Sequence, residues 1–359
     1  MNFAALKGLT IPQGAVKQIA DSSGRILWSA SKPIVLTVEK VTATTYAGET
    51  TYNDEQFILL DIYPKTNGTV KVTYGGLTKT ITDTSGVESP NAQGVYFGTF
   101  NGVSDSVATP SSGTLTIDGD YRGFSTRSFS TSSKGAATYC GCITTVDDFG
   151  DLRDLNNVYF KDCTNFNISS LPNNITSIGA STFYGCSGLT LSSLPSSITR
   201  IGANAFYKCG NLTLSSIPGS VKTIEENAFY GCKSLQFNDN FFNKGLETIG
   251  NQAFYYANKG AQDVFTYYIT IPETVTNIGA QAFTGYSEKE AGVSYFYRIR
   301  VLPKTPPIAE NTGSDTQDGI FGRFVISFVD GIIVPKGCGD AYKTAQGWKD
   351  YADLIREEA

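Results

Sequence analysis

Apolar residues recur at a fixed interval through the middle of the chain. Each interval of 23 residues carries a phenylalanine and, three residues later, a cysteine: Phe160, Phe183, Phe206 and Phe229, with Cys163, Cys186, Cys209 and Cys232. Phe254 and Phe283 continue the pattern at wider steps. A period in the twenties is typical of a solenoid, whose units bury their apolar faces only by stacking on one another. The pattern predicts a repeat array from about Ile143 to Leu302.

Each unit alternates between apolar and turn-forming residues. Leu212-Thr213-Leu214 predicts a short strand with its leucines inward, and Val221 to Phe229 predicts a helical turn or an irregular wall over the same core. A glycine follows the isoleucine in most units, where a corner needs positive φ or close backbone approach: Gly179, Gly202, Gly250 and Gly279. Glu225 interrupts this column and predicts a locally different corner.

The pattern before the array is that of short strands. Alternating runs rich in Thr, Val and Ile predict strands at Ile34–Val38, Phe57–Tyr63, Thr69–Tyr74, Val95–Phe100 and Gly113–Asp118. Gly75-Gly76 predicts a tight hairpin. About 100 residues with this many strands favour an immunoglobulin-like β-sandwich, acting as a spacer or as a ligand-binding domain. Ser130 to Gly135, S-T-S-S-K-G, predicts the joint between the sandwich and the array.

The first thirty residues carry a further pattern of alternating positions. Val16 to Ile19 and Arg25 to Trp28 flank Asp21-Ser22-Ser23-Gly24 and predict a hairpin whose apolar residues need a partner surface. The chain is therefore predicted to be mainly β, in four parts: an N-terminal docking hairpin (1–30), the β-sandwich (33–130), the solenoid (136–302) and a C-terminal capping rung with a helix (303–359).

Composition excludes several functions. Of 359 residues only 17% are charged, the net charge is −5, and no basic stripe is present, so nucleic acid is a poor candidate partner. No apolar run has the length of a membrane span, and Met1 to Trp28 lacks the features of a signal peptide. The chain has no histidine, which removes the commonest general base and most zinc sites. We expect no enzyme, no cofactor and no metal site.

The seven cysteines allow two interpretations. A stacked column behaves as small buried apolar side chains, which we favour, although adjacent rungs bring Cα atoms within disulfide range. Cys140 and Cys142 form C-x-C, which is a weak metal signal because two ligands do not make a tetrahedral set.

The repeat resembles the BspA-type leucine-rich repeat, whose units carry I-P, S-V-T-x-I-G, x-x-A-F and x-x-C-x-x-L in that order. The resemblance runs from Ile143 to the C terminus, where it includes Val334-Pro335, Ala341-Tyr342-Lys343 and Gly347-Trp348. It implies a last rung with a short helical cap. Members are mostly surface proteins used for adhesion, so the resemblance implies binding rather than chemistry.

The N-terminal stretch resembles leader modules of phage and prophage structural proteins. The matching segments are L-T-I-P-Q-G and V-K-Q-I-A-D-S-S-G-R-I-L-W. The resemblance implies docking to virion proteins through residues 1–30, and a homo-oligomer would fit this role. An N-terminal strand pair that completes the sandwich is the alternative.

Surface tyrosines supply the candidate ligand contacts. One tyrosine follows each repeat phenylalanine, and further aromatic residues lie in two insertions, at 256–268 and 286–297; the candidates are Tyr184, Tyr207, Tyr230, Tyr255, Tyr256, Tyr267, Tyr286, Tyr295 and Tyr297. Aromatic rings with polar tips suit sugar faces. Packing of the regular column between rungs is the competing explanation, and we favour it because repeats propagate residues for packing.

These observations favour a non-enzymatic binding protein, in a virion or on a cell surface, that recognises a bacterial surface glycan or protein. A phage or prophage component is the preferred hypothesis. A bacterial adhesin of the BspA-like family without its export signal is the alternative, and a glycan-active enzyme is a third class that would need an acidic pair in a cleft.

Overall fold

The computed structural model describes residues 18–20, 26–29, 32–39, 41–42, 56–83, 93–100, 103–105, 110–126, 128–130, 137–139, 142–257, 268–284, 296–309, 319–321 and 327–359. This part of the chain is mainly β, as the sequence predicts. Its helical segments are the α-helix Gly339–Thr344 and the 3-10 helix Lys349–Leu354.

Two small antiparallel pairs lie outside the larger sheets. Gln18–Ala20 pairs with Ile26–Ser29, in agreement with the predicted N-terminal hairpin. Ser128–Ser130 pairs with Ala137–Tyr139 on either side of the segment predicted to join the sandwich to the array.

The strands before the array form two sheets. The first is antiparallel, in the order Ile143–Asp148, Ile34–Glu39, Ser112–Gly119, Thr69–Tyr74, Leu77–Thr82. The second has the order Val158–Tyr159, Tyr121–Thr126, Gln56–Pro64, Gln93–Phe100, Val103–Ser104, with Val41–Thr42 paired to Gln56–Pro64. All five predicted strand runs are present.

The inner faces of the two sheets share one apolar core. Tyr74 of the first sheet packs edge-on against Phe97 of the second, with ring centroids 5.7 Å apart. The predicted Gly75-Gly76 hairpin is confirmed, because both glycines have positive φ, 57° and 82°, as a type I′ turn requires.

The two sheets and the repeats are continuous. Ile143–Asp148 begins the predicted array yet pairs with Ile34–Glu39 of the first sheet, and Val158–Tyr159 pairs in parallel with Tyr121–Thr126 of the second. Phe124 packs against Phe160 at 5.5 Å in an edge-on contact. The core of the sheets therefore passes into the core of the repeats without a gap.

Successive repeats stack as two-residue parallel strands in register. These rung strands are Ser177–Ile178, Arg200–Ile201, Thr223–Ile224, Thr248–Ile249, Asn277–Ile278 and Ile308–Ala309. The isoleucines of the first five strands and Ala309 of the last are buried, whereas Ile308 is exposed. The same core holds a stack of phenylalanine rings whose centroids are 5.2–5.6 Å apart: Phe160, Phe183, Phe206, Phe229, Phe254 and Phe283.

The predicted strand at Leu212-Thr213-Leu214 is not a ladder strand. The predicted alternation of buried and exposed side chains is confirmed, since both leucines are fully buried and Thr213 is partly exposed. However, the Thr213 amide makes a single bond to the previous rung, 3.3 Å to the Leu191 carbonyl, and one bond does not form a ladder. The rung-to-rung strand lies ten residues further along, at Thr223–Ile224.

The wall after each rung strand is the irregular alternative rather than a helical one. Around Phe206, i→i−3 turn bonds alternate with bonds to the next rung, such as Phe206 N to Ala228 O at 2.8 Å. The alternation needs left-handed residues on both sides of the phenylalanine, and Asn204 and Lys208 have φ of 57° and 59°. The backbone groups of this non-helical wall therefore find partners in the neighbouring rung.

A four-stranded parallel sheet and a cap end the described chain. The sheet order is Ile269–Ile271, Phe296–Val301, Ser327–Val334, Ile355–Glu357. The two helical segments pack beside it, with Tyr342 and Trp348 buried. We call this sheet the C-terminal sheet.

Candidate ligand-binding surface

The repeat tyrosines form one continuous stack, which we call the tyrosine ladder: Tyr184, Tyr207, Tyr230 and Tyr255. Each follows a buried phenylalanine, so the tight turn directs it to the opposite side, where it is partly exposed. Neighbouring ring centroids are 4.6, 4.7 and 4.8 Å apart, and the planes differ by no more than 20°. The spacing equals the strand separation of a β-sheet because each rung contributes one ring.

The faces of these rings are covered. Within the ladder each ring lies on its neighbour, the Lys161 ammonium lies 4.7 Å from the centroid of Tyr184, and Tyr256 packs on Tyr255 at 4.1 Å. A sugar cannot stack on a face that is already occupied. The ladder therefore offers the rim of its rings and a row of phenol hydroxyls, which suits hydrogen bonding along an extended ligand.

The hydroxyls of Tyr230 and Tyr255 remain protonated at neutral pH. Burial raises the pKa of Tyr230 and of Tyr255, and the Tyr255 hydroxyl donates to that of Tyr256 at 3.2 Å. The charged groups lie at the Tyr184 end: Lys161, Lys208 and Asp162. Burial raises the pKa of the Asp162 carboxyl, against the opposing effect of the two lysines.

The other predicted tyrosines are described only in part. Tyr256 ends the ladder with a left-handed backbone, φ 53°. Tyr297 lies in the strand Phe296–Val301, and only its backbone is described. Tyr267, Tyr286 and Tyr295 lie outside the described residues. Their contact with a ligand stays a prediction.

The cysteine column lies behind the ladder as free, fully buried thiols. The Sγ atoms of Cys186, Cys209 and Cys232 each lie 3.0 Å from the carbonyl of the phenylalanine one rung earlier, to which they donate. Burial raises the pKa of these thiols and of Cys163. Their position is that of small core residues with a weak donor.

The glycine column is explained by close approach, not by positive φ. A Cβ on Gly250 would lie 2.6 Å from the Glu225 carbonyl carbon, and one on Gly279 would lie 2.2 Å from the Asn251 amide nitrogen. Glu225, which stands in place of a glycine in this column, forms contacts of its own. Its carboxylate accepts the Ala203 amide at 3.0 Å and pairs with Arg200 at 2.6 Å, so it tethers the preceding rung.

A second polar cluster was not singled out from the sequence. The Tyr268 ring lies near the guanidinium groups of two arginines, whose central carbon atoms are 4.4 Å (Arg300) and 5.8 Å (Arg298) from its centroid. The sequence signal for this cluster is R-I-R at residues 298–300. Because the central Ile299 is buried, both arginines lie on the opposite face of the strand.

The described residues contain neither a metal-binding group nor a membrane-spanning helix. Within the described residues, no group of three or more acidic or cysteine side chains is arranged to hold a metal ion. In the same part of the chain, neither helical segment has the length and apolar character needed to span a membrane.

Comparison with known families identifies the repeats. Residues 153–289 match the BspA type leucine-rich repeat region in six copies. The predicted resemblance is confirmed over these residues. Residues 143–152 and 290–359 lie outside the match, so their resemblance stays a prediction, and none of the comparisons supports the phage-like leader.

Two further comparisons were made. The curated proteins contain no significant match to the chain. Among solved structures, the chain is similar to a leucine-rich repeat protein from Bacteroides ovatus, with 24% identity and a TM-score of 0.31 over 59% of this chain. The chain spans about half of that protein, 48% of its length.

Proposed function

We propose that the protein is a non-enzymatic binding protein that recognises a bacterial surface glycan or protein through its BspA-type repeats. The tyrosine ladder carries the proposal. It is a partly exposed row of phenol donors at one fixed spacing, built on a stack whose apolar residues are already buried against each other. A rigid row of this kind holds hydrogen-bonding groups in place at little entropic cost on binding.

The rest of the chain supports the array. We propose that the array is a solenoid and that the two N-terminal sheets are an immunoglobulin-like spacer which presents it. A BspA-like repeat region is consistent with a surface-associated binding role. A bacterial envelope and a phage particle docked through residues 1–30 are both carriers that would present the array to a bacterial surface, and the sequence favours the second.

The test measures binding of the full chain to a panel of bacterial cells and their isolated surface glycans. A Tyr207→Phe/Tyr230→Phe double variant keeps the stacked rings and removes two hydroxyls. Its affinity should fall about tenfold, since each lost hydrogen bond contributes about 0.5–1.5 kcal/mol. Tyr63→Phe, which removes a partly buried phenol on the N-terminal sheets, is the matched control and should bind as the wild type does.

Point variants are preferable to truncation. A chain ending at residue 130 would lose Ile143–Asp148, a strand of the first sheet, and would expose its core. Equal binding by the double variant and the wild type would remove the ladder from the contact surface. Absence of saturable binding to every cell and glycan would contradict the binding role, and release of labelled fragments from a polysaccharide would favour an enzyme instead.

A further inference from the structure

The C-terminal sheet carries a basic outer face. Its register aligns Thr270 with Arg300, Arg300 with Ile333, and Ile333 with Arg356. The alternating residues Ile269, Ile299, Ile332 and Ile355 are buried, so the aligned row points outward. Arg298 lies on the same face, so three of the nine arginines of an acidic chain are found there: Arg298, Arg300 and Arg356.

Tyr268 holds two of these arginines in place. Arg300 lies over its ring at 4.4 Å and Arg298 lies at 5.8 Å, both within the range of cation–π attraction. The Tyr268 amide donates to the Asp239 carboxylate at 2.5 Å, which fixes the segment that carries the ring. Guanidinium groups fixed in this way lose little entropy when they bind a ligand.

Two side-chain donors of this face have no acceptor in the described part of the chain. The Nε of Arg300 and the hydroxyl of Thr270 are inaccessible to solvent and have no hydrogen-bond partner in the described chain. The carboxylate paired with Arg300 is that of Glu358, at 3.8 Å, which is too long for a hydrogen bond. Glu358 is about half exposed, so it is a weak and displaceable counter-charge.

We propose that this face binds the oxyanion of an acidic surface glycan, a carboxylate or a phosphate, with Arg300 as the main contact. This inference deepens the proposed function and rests on it, but uses a surface separate from the tyrosine ladder. An incoming oxyanion displaces Glu358 and accepts from the Arg300 guanidinium, whose planar fork matches two oxygens at once. Arg298 adds charge, and Arg356, which donates to the carbonyls of Asp353 and Ile355, adds more.

The experiment is calorimetric titration of the full chain at low and moderate salt with three probes. Oligogalacturonate carries carboxylates, a glycerol phosphate oligomer carries phosphates, and maltohexaose is neutral. At least one acidic probe should bind, more weakly at higher salt, while maltohexaose should not. The stronger of the two acidic probes identifies the oxyanion.

Three variants place the site. Arg300→Gln should weaken binding of the acidic probe about tenfold, as loss of a charge-assisted hydrogen bond does. Glu358→Gln should strengthen it several-fold by removing the competing carboxylate, a gain that no folding defect can imitate. Arg153→Gln, at an exposed arginine in the repeats, should leave it unchanged.

The proposal is overturned if neither acidic probe binds, if maltohexaose binds as well as they do, or if Arg300→Gln and Glu358→Gln both leave affinity unchanged. Cell binding separates the two proposals. Loss of cell binding in the tyrosine double variant together with no effect of Arg300→Gln on acidic probes would preserve the proposed function and remove this site.

Discussion

At the scale of single residues, the repeat is constrained by contact between successive backbones. Gly179, Gly202, Gly250 and Gly279 are required after the rung isoleucines because the previous rung leaves no room for a Cβ. Gly210, which lies outside this column, has no atom within 4 Å of its Cβ position and is free of this constraint.

Gly250→Ala should therefore destabilise the protein by about 1–3 kcal/mol, the usual cost of overpacking a site that cannot relax. Gly210→Ala is the matched control and should be neutral or slightly stabilising, because it only restricts the unfolded chain. Urea unfolding of both variants measures the difference. Equal stabilities would mean that the rungs are further apart than the structure shows.

Thiol reactivity tests the cysteine column. The column thiols and Cys142 are fully buried, whereas Cys338 is partly exposed. In a Cys140→Ser variant, a disulfide-exchange reagent at pH 8 should label one thiol quickly, at Cys338, and the other five only after unfolding, because burial and the raised pKa of the column suppress the thiolate. Fast labelling at Cys186 or Cys209 would contradict the buried stack.

At the scale of elements, the cap closes the array through specific hydrogen bonds. The Tyr342 hydroxyl donates to the Pro303 carbonyl at 2.7 Å, and the Trp348 indole nitrogen donates to the Pro307 carbonyl at 2.9 Å. Both bonds are buried, and both acceptors lie in the segment between Val301 and the last rung strand Ile308–Ala309, so the two aromatic residues hold this segment in place.

Tyr342→Phe should cost about 1–2 kcal/mol, because the ring still packs on Trp348 while the buried Pro303 carbonyl loses its donor. In a Trp28→Phe background, the fluorescence of Trp348 during chemical unfolding reports the change locally. A variant as stable as the wild type would show that the hydroxyl bond contributes nothing to the cap.

Acid should loosen the same cap at one carboxylate. Bonds from the Gly337 and Gly339 amides lower the pKa of Glu357. Because the folded pKa lies below the unfolded value of about 4.3, the stabilisation is present above that value and is lost as pH falls through the folded pKa. The difference in unfolding midpoint between the wild type and Glu357→Gln should therefore narrow from pH 6 to pH 3. A constant difference would exclude this linkage.

The elements differ in how far the sequence predicts them. The alternation of apolar and polar residues was sufficient to predict the strands of the N-terminal sheets, and the repeat period was sufficient to predict the phenylalanine stack. Both patterns depend on which side chains are buried. The strand at Leu212-Thr213-Leu214 was placed wrongly, since burial alternates there without the bonds of a ladder. Packing of the ladder tyrosines between rungs was predicted from their regular recurrence and is confirmed. The closure of both ring faces was not predicted, because it depends on the orientation of each ring.

At the scale of the whole molecule, the N-terminal sheets and the repeats share one core. Phe124 and Phe160 meet at the junction, and Thr126 donates its hydroxyl to the Lys161 carbonyl at 3.1 Å. The sequence predicted a joint near residues 130–135 from its Ser-rich composition, but it could not show that Ile143–Asp148 returns to the first sheet, since strand pairing over such distances leaves no local signal.

This continuity predicts coupled unfolding. Phe124→Leu, at the junction, should lower the protection of amides in the sheets and in the first rungs together, by about 1 kcal/mol or more. Native-state hydrogen exchange measures both regions at once. Reduced protection in the sheets alone would mean that the two parts unfold independently.

The central claim is that recognition takes place on the repeat array. The most direct measurement is hydrogen–deuterium exchange of the full chain with and without the surface glycan fraction of a bacterium that it binds. Recognition by the array predicts added protection in peptides that carry the tyrosine ladder, residues 184–256, with Tyr268 to Arg300 protected as well if the glycan is acidic. Protection confined to residues 32–126, or none despite saturable binding, would contradict it.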